Sequence, residues 1–547
     1  MAGTAFWPLV GLLLTVLYLL RRAPGSSLSH IPTVKYYPYM PDFINRIFYY
    51  SKAASMIQRG YEKYKDSPFR ILTGDGEVIV LPVKYGDQLR SLEPSKISSL
   101  HAQYKNALGE YTNIRIDTIL PGLTVRKYLG PNLKKVVPRI VDELAVAFET
   151  VLAGCEGKIC KAYLCHRLQV KQPRPLSTLP DGWVNINPTE MSSRLIALAT
   201  TRVMAGDMLR RNEEWLNVAS SYAHNVGVTI IILRPVPKYL RPIVARFLPS
   251  VQQMKKQLEF TKALFVPLIM ERKQAEQDGG SAWVKPDDFL QWMMDLSKAR
   301  GEDLDAEGLA HHMLLLVTLA VTHTSTMALC HCLFDLAMRP EYLEPLREEM
   351  LQTLPDGWYK ATHASLQRQA RLDSFLLESQ RFGPPGELTF HRIVKQPLTL
   401  KDGLVLPVET HICFAAGPIS RDEAFIPNPT VFDGCRWCRE PRDRYALTPE
   451  LIGSDGDEQD GNSASQPSSF VSITLTHMHF GFGRQACPGR FFAANTLKAI
   501  LSRIILDYEF KFVDSLEGKR PANLVIGEHI LPSMNADMLF RKRPIGL

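Results

Sequence analysis

The sequence predicts a mainly α-helical protein with a small β-rich subdomain, preceded by an N-terminal transmembrane helix. Three observations carry this prediction. The chain opens on twenty residues without a charged side chain, it carries an apolar helical pattern more than thirty residues long near its middle, and its strand-like pieces are short and confined to a few places.

Residues 1–20, MAGTAFWPLVGLLLTVLYLL, are followed at once by Arg21-Arg22. At about 1.5 Å per residue, twenty helical residues reach about 30 Å, one hydrocarbon thickness. A cleaved signal has its basic residues before the apolar core, whereas here they follow it. Positive charge on that flank puts the rest of the chain in the cytosol, so the expectation is an uncleaved single-pass anchor. Residues 21–45 carry Pro24, Pro32, Pro38 and Pro41 and read as a stiff linker. Residues 46–547 are expected to form the folded domain.

Net charge is +8, with basic and acidic residues interspersed. No basic stripe or recognised module supports nucleic-acid binding, and the charge suits an anionic membrane surface or an acidic protein partner. Nine cysteines, an odd number without a regular framework, read as free thiols in a reducing compartment. Cys435-Arg436-Trp437-Cys438 lacks the second pair or the βα context that a zinc or redox site needs.

The stretch 75–82, DGEVIVLP, reads as a strand after a turn. Two segments interrupt the pattern as surface insertions. Residues 154–183 are polar and proline-broken, with Cys155, Cys160 and Cys165. The flanking helical patterns read better without them, as after a retained intron, an idea that finding their codons in the mature transcript would remove. Residues 453–469 are acidic and low in complexity. The longest helical pattern runs from Asp305 to Met338 and stops at Arg339-Pro340. It is apolar on nearly all sides, as a helix crossing a core must be. A second helix is expected over Ala364–Arg381, then the strand-like pieces ELTFHRIV and ETHICF with a KDG turn between them. A helix over Gly489–Ile505 is expected to finish the chain.

Just before that helix lies His479–Phe492, HFGFGRQACPGRFF. Gly481, Gly483 and Gly489 let the backbone approach a flat object closely, and N–H groups at the helix start can point at the sulfur of Cys487. Those donors favour a thiolate over the free thiol, whose pKa is about 8.5.

The run Phe480-x-x-Gly483-x-x-x-Cys487-x-Gly489 resembles the haem-ligand loop of the cytochrome P450 monooxygenases. The resemblance extends over nearly the whole chain from about residue 30, the two insertions excepted. Pieces such as DDFLQWMMD, THTST and ACPGRFFA look most like the fungal branch that includes ent-kaurene oxidase and other secondary-metabolite oxidases. It implies the P450 fold, haem b held by the Cys487 thiolate as axial iron ligand, and a thiolate that pushes electron density toward the metal. It further implies Phe480 and Gly483 as parts of the haem loop, and Glu378 and Arg381 as a Glu-x-x-Arg helix pair, with Arg436 as the third member of a structural cluster. Thr324, preceded by His323, aligns with the oxygen-activation segment, where a mid-helix hydroxyl can bond a carbonyl one turn earlier. In this branch a histidine before the threonine is a usual variant. Arg126 and Arg392 are the candidates for the haem propionates. Gln485 stands where the family usually has a basic residue reaching a propionate, so Gln485→His and Gln485→Arg are expected to retain haem at least as well.

The implied reaction inserts one oxygen atom from O2 into a lipophilic small molecule, a terpenoid or prenyl-derived intermediate of secondary metabolism. Its electrons come from NADPH through a membrane-bound NADPH–cytochrome P450 reductase, with cytochrome b5 as a further partner, at the endoplasmic reticulum membrane with the catalytic domain facing the cytosol. From the residues alone, a haem-binding sensor, a catalytically silent homologue and a membrane hydrolase with Cys487 as nucleophile stay open.

Overall fold

A computed structural model describes residues 28–544 apart from 75, 116–117, 153–181, 280–282, 303, 439–468 and 517. The anchor over 1–20 and the first residues of the linker therefore lie outside the described residues. So do nearly all of the insertion at 154–183 and all of 453–469 but its last residue.

The long apolar pattern folds as one helix, Ala306–Met338. Asp305 starts it by accepting the Gly308 N–H at 2.7 Å, and Arg339 with Pro340 ends it. Its middle, Leu316–His323, is wound as π-helix, which inserts extra chain into the turn and shifts the side chains that follow. Around it pack the helices Pro188–Ala205, Glu213–Leu233, Ala370–Phe382 and Arg490–Asp507. A single apolar cluster joins them, with Leu314, Val317, Leu333 and Phe334 of the central helix wholly buried. Glu213–Leu233 and Ala306–Met338 are long and apolar enough to cross a membrane, but both are packed into this cluster.

The second core is β-rich. A six-stranded sheet runs β1-β2-β3-β9-β6-β4, built from β1 (Thr33–Val34), β2 (Phe69–Leu72), β3 (Glu77–Val80), β4 (Ile97–Ser98), β6 (Thr389–Val394) and β9 (His411–Phe414). Between Thr389 and Arg392 the register of β6 against β9 slips, and Phe390 takes a φ of 56°. Such a bulge turns the side chains after it, here re-aiming Arg392. The KDG turn closes a hairpin of β7 (Leu398–Thr399) and β8 (Val405–Leu406), with Gly403 at φ 86°.

Two expectations about elements need correction. The helix expected over Ala364–Arg381 is two helices, His363–Gln367 and Ala370–Phe382. The buried carboxylate of Glu349, on a neighbouring helix, accepts the Arg371 and Leu372 N–H groups at 2.5 and 3.0 Å and so caps the second piece. Nor does a helix finish the chain. Arg490–Asp507 runs into β10 (Tyr508–Phe512), which pairs with β13 (Met538–Lys542), and that strand pairs in turn with β5 (Val184–Ile186). A hairpin of β11 (Leu524–Ile526) and β12 (His529–Leu531) lies between β10 and β13.

Candidate active site

The glycine-rich loop is held by its own backbone. Phe480 O accepts the Cys487 N–H at 2.7 Å, Met478 O accepts Gly481 N–H at 2.8 Å, and Gly483 O accepts Ala486 N–H at 2.9 Å. Gly483 has a φ of 68°, and a Cβ there would overlap the backbone of Arg90. No other residue type fits that position without moving the chain.

Cys487 ends the loop, immediately before the helix that begins at Arg490. Its sulfur receives the N–H groups of Gly489 and Arg490 and lies near the Arg490 guanidinium, all of which lower its pKa. Burial outweighs them, so the thiol stands above its ordinary value; the thiolate needs a bound cation as well as the helix start. Cys487 nevertheless carries accessible surface.

On the central helix, Ala320 and Thr324 are exposed in a stretch otherwise largely buried. The Thr324 hydroxyl donates to the Ala320 carbonyl at 2.8 Å, at the end of the π-helical turns. His323 beside it is lowered by burial and is neutral at physiological pH.

Glu378, Arg381 and Arg436 meet in a buried cluster. The Arg381 guanidinium forks onto both Glu378 oxygens at 2.9 and 2.7 Å. Glu378 Oε1 also accepts Arg436 Nε at 3.2 Å and the Asp433 N–H at 3.0 Å. The two arginines then donate to the carbonyls of Pro429 and Pro427, each at 2.6 Å, which ties the helix to the 427–436 loop.

The two arginine candidates differ. Arg126 is exposed and donates to the Arg484 carbonyl of the cysteine loop at 3.0 Å. Arg392 is buried, stacks on Phe390 and, among the described residues, bonds only backbone carbonyls, His391 O at 2.9 Å and Phe482 O at 3.4 Å. Its Nε has no partner among the described residues, and burial pulls its pKa down to about 9. A buried guanidinium without a carboxylate is costly, so the site suits an added anion. Gln485 is placed differently from its sequence expectation. Its oxygen accepts the Ser99 N–H at 2.8 Å and its amide nitrogen donates to Ile97 O at 3.0 Å, so both ends are committed to the chain.

An accessible sulfur at a helix start, a glycine that allows close approach and an arginine with no acid beside it among the described residues together fit an iron porphyrin with carboxylate arms. Residues 164–533 match the cytochrome P450 family model. The chain belongs to the cytochrome P450 family. It is 42% identical to the P450 monooxygenase penP of Penicillium crustosum, over 99% of this chain and 95% of the relative. It is 39% identical to paxP of Penicillium paxilli over 99% and 96%, and 41% identical to AtmP of Aspergillus flavus over 94% and 90%. As a P450 monooxygenase it is a haem-thiolate enzyme that inserts one oxygen atom from O2 into a lipophilic small molecule with electrons supplied by a reductase.

Several residues of this P450 were not singled out by sequence. His477 and His479 are buried with their rings 4.9 Å apart, both kept neutral by burial beside Arg381. Tyr49 donates to Glu528 at 2.9 Å, Glu528 meets His391 at 3.0 Å, and His391 meets His411 at 3.0 Å. Asp335 on the central helix holds Arg520 and Ser379 at 2.7 Å each. No local pattern announces these contacts, since their partners stand up to 479 positions apart.

Proposed function

We propose that Cys487 is the axial iron ligand of this P450, that Arg392 and Arg126 meet the haem carboxylates, and that the substrate is a terpenoid or prenyl-derived intermediate of secondary metabolism. The observation that carries the ligand assignment is the accessible sulfur of Cys487 within reach of the Gly489 and Arg490 N–H groups. When bound, the haem supplies activation of dioxygen, and the chain supplies everything around it. The Glu378–Arg381–Arg436 cluster fixes the loop below the site, and Phe480 and Gly483 shape the haem face. Thr324 offers a hydroxyl whose proton is parked on the Ala320 carbonyl and can be redirected, with His323 as a neutral neighbour. A hydrolase with Cys487 as nucleophile gains no support, because the sulfur has no imidazole or carboxylate hydrogen-bond partner among the described residues.

The same reading makes residues 1–20 a single-pass anchor in the endoplasmic reticulum membrane, 21–45 its linker and 46–547 the cytosolic catalytic domain, with 154–183 and 453–469 as surface insertions. Cytochrome b5 is the second electron donor in this reading. The uncharged segment before Arg21-Arg22 supports the topology, and the resemblance to the ent-kaurene oxidase branch supports the substrate class. Protease added to intact microsomes is expected to digest the catalytic domain.

The test of the ligand is the carbon-monoxide difference spectrum of reduced membranes carrying the protein. The parent is expected to give the red-shifted thiolate band and Cys487→Ser to lose it. The same band in Cys487→Ser would exclude Cys487 as the ligand.

A further inference from the structure

Cys435-Arg436-Trp437-Cys438 folds as a turn. Cys435 O accepts the Cys438 N–H at 2.9 Å, the bond that closes a four-residue β-turn and holds its first and fourth Cα atoms within about 7 Å. A disulfide spans Cα separations of about 4.4–6.8 Å, so the turn brings the two cysteines to bridging distance. The side chains meet as well, since the Cys438 thiol is hydrogen-bonded to Cys435. Both thiols are free and both residues reach the surface. A disulfide within the pair needs neither a second cysteine pair nor a βα unit.

The turn is pinned on several sides. The Asp433 carboxylate accepts the Cys435 N–H at 3.0 Å, and the Asp433 carbonyl accepts the Arg436 N–H at 3.1 Å. Gly434 N–H donates to the Tyr342 hydroxyl at 3.0 Å, and Trp437 N–H donates to Ser374 Oγ at 3.0 Å. Ser374 belongs to Ala370–Phe382, the helix that carries Glu378 and Arg381. Arg436, between the cysteines, turns inward and bonds Glu378 at 3.2 Å. The two thiols are not alike. Burial first, and then the neighbouring Cys435 sulfur, push the Cys438 thiol above its ordinary value. Cys438 therefore keeps its proton, which leaves nucleophilic attack to Cys435.

We propose that Cys435 and Cys438 are a redox modification site, joined by hydrogen peroxide in a disulfide that closes a ring around Arg436 and Trp437 and reopened by small thiols. Cys435, deprotonated, attacks one peroxide oxygen; the O–O bond breaks, the departing hydroxide takes up the thiol proton as water, and Cys435 becomes a sulfenic acid. The Cys438 sulfur then attacks the sulfenic sulfur. The S–O bond breaks, and the hydroxyl group leaves with the Cys438 proton as a second water. Two thiols give up two electrons, and one peroxide is reduced to two waters. Two molecules of glutathione restore the pair by thiol–disulfide exchange and become a disulfide themselves. Because the turn already holds both sulfurs together, the ring forms with Arg436 still on Glu378. A reducing compartment makes such a bond transient, as a redox-responsive site requires.

The test uses the full-length holoenzyme, treated with a small molar excess of hydrogen peroxide, alkylated with iodoacetamide, digested at glutamates and read by mass spectrometry. In the treated parent, the peptide containing both cysteines is expected to be unalkylated and two hydrogens lighter than its free-thiol form. Glutathione added before alkylation is expected to restore two alkylation sites. Cys438→Ser is expected to stop at the first step, with a dimedone adduct on Cys435, and Cys435→Ser to leave Cys438 open to alkylation after peroxide. Two alkylated cysteines in the treated parent overturn the proposal, as does oxidation to sulfinic acids without the bond. So does a disulfide from either residue to any other cysteine, or a dimedone adduct on Cys438 of Cys435→Ser with none on Cys435 of Cys438→Ser.

Discussion

Glu378→Gln keeps the shape of a buried side chain and removes its charge. In the parent that carboxylate, wholly buried, accepts four hydrogen bonds: two from Arg381, one from Arg436 and one from the Asp433 N–H. The amide has one acceptor oxygen, and its NH2 group faces a guanidinium that can only donate. Two arginines would be left without their counter-charge, Arg381 with a side chain only 1% exposed. Removing one partner from a buried pair costs about 3–5 kcal/mol, against a total stability of about 5–15 kcal/mol for a folded protein. Glu378→Gln is therefore expected to lose most of its haem-loaded protein. Arg381→Lys should fall nearly as far, because a lysine cannot reproduce the fork. Arg436→Lys should lose less, about 1–2 kcal/mol, because one bond to Glu378 changes at a side chain nearer the surface. The assay is the yield of the thiolate-type carbon-monoxide band per mass of protein, together with the urea midpoint of each variant. A Glu378→Gln protein with the parental band and midpoint, or Arg436→Lys worse than Arg381→Lys, would refute the reasoning.

Arg392→Met removes a buried cation that has no acid partner, so apoprotein stability in urea should hold or rise while haem retention on a gel-filtration column falls; a parallel loss of both would show that Arg392 serves the fold alone. Gly483→Ala should give protein without the loop's native geometry and little bound haem by absorbance, because its Cβ meets the Arg90 backbone at positive φ. Gln485→Arg should cost about 1–2 kcal/mol in urea unfolding, since it removes the acceptor of the Ser99 N–H. The pH dependence has a definite sign. Burial lowers His331 and His477 to about 3 each, whereas an unfolded histidine titrates near 6.5. Between those values the unfolded chain binds more protons, so their contribution is complete above about pH 6.5 and is lost as pH falls toward 3. Near pH 5 the slope is about 1.4 kcal/mol per pH unit for each histidine. Urea midpoints between pH 7.5 and 5 that do not fall would contradict this.

Much of this P450 was legible before its structure, and the reason is locality. A helix start at Asp305, the i to i+3 pairing of Glu378 and Arg381, the KDG turn and the spacing of glycines around Cys487 each express a rule that acts over a few neighbouring residues. The errors came where a distant residue intervened. Glu349 interrupts the helix expected over Ala364–Arg381 by offering its carboxylate to N–H groups 22 and 23 positions away. The backbone of Ile97 and Ser99 claims Gln485 across nearly four hundred positions.

The sequence by itself determined the glycine spacing of the cysteine loop, the helical class of the domain and the order of its motifs, because side-chain type and short spacing suffice for these. Tertiary structure alone decided that Arg392 is buried with no acid beside it among the described residues, and that Glu528 braces a hairpin through Tyr49 and His391. Burial and long-range pairing depend on which surfaces meet when the chain closes on itself, and no short window of residues records that meeting.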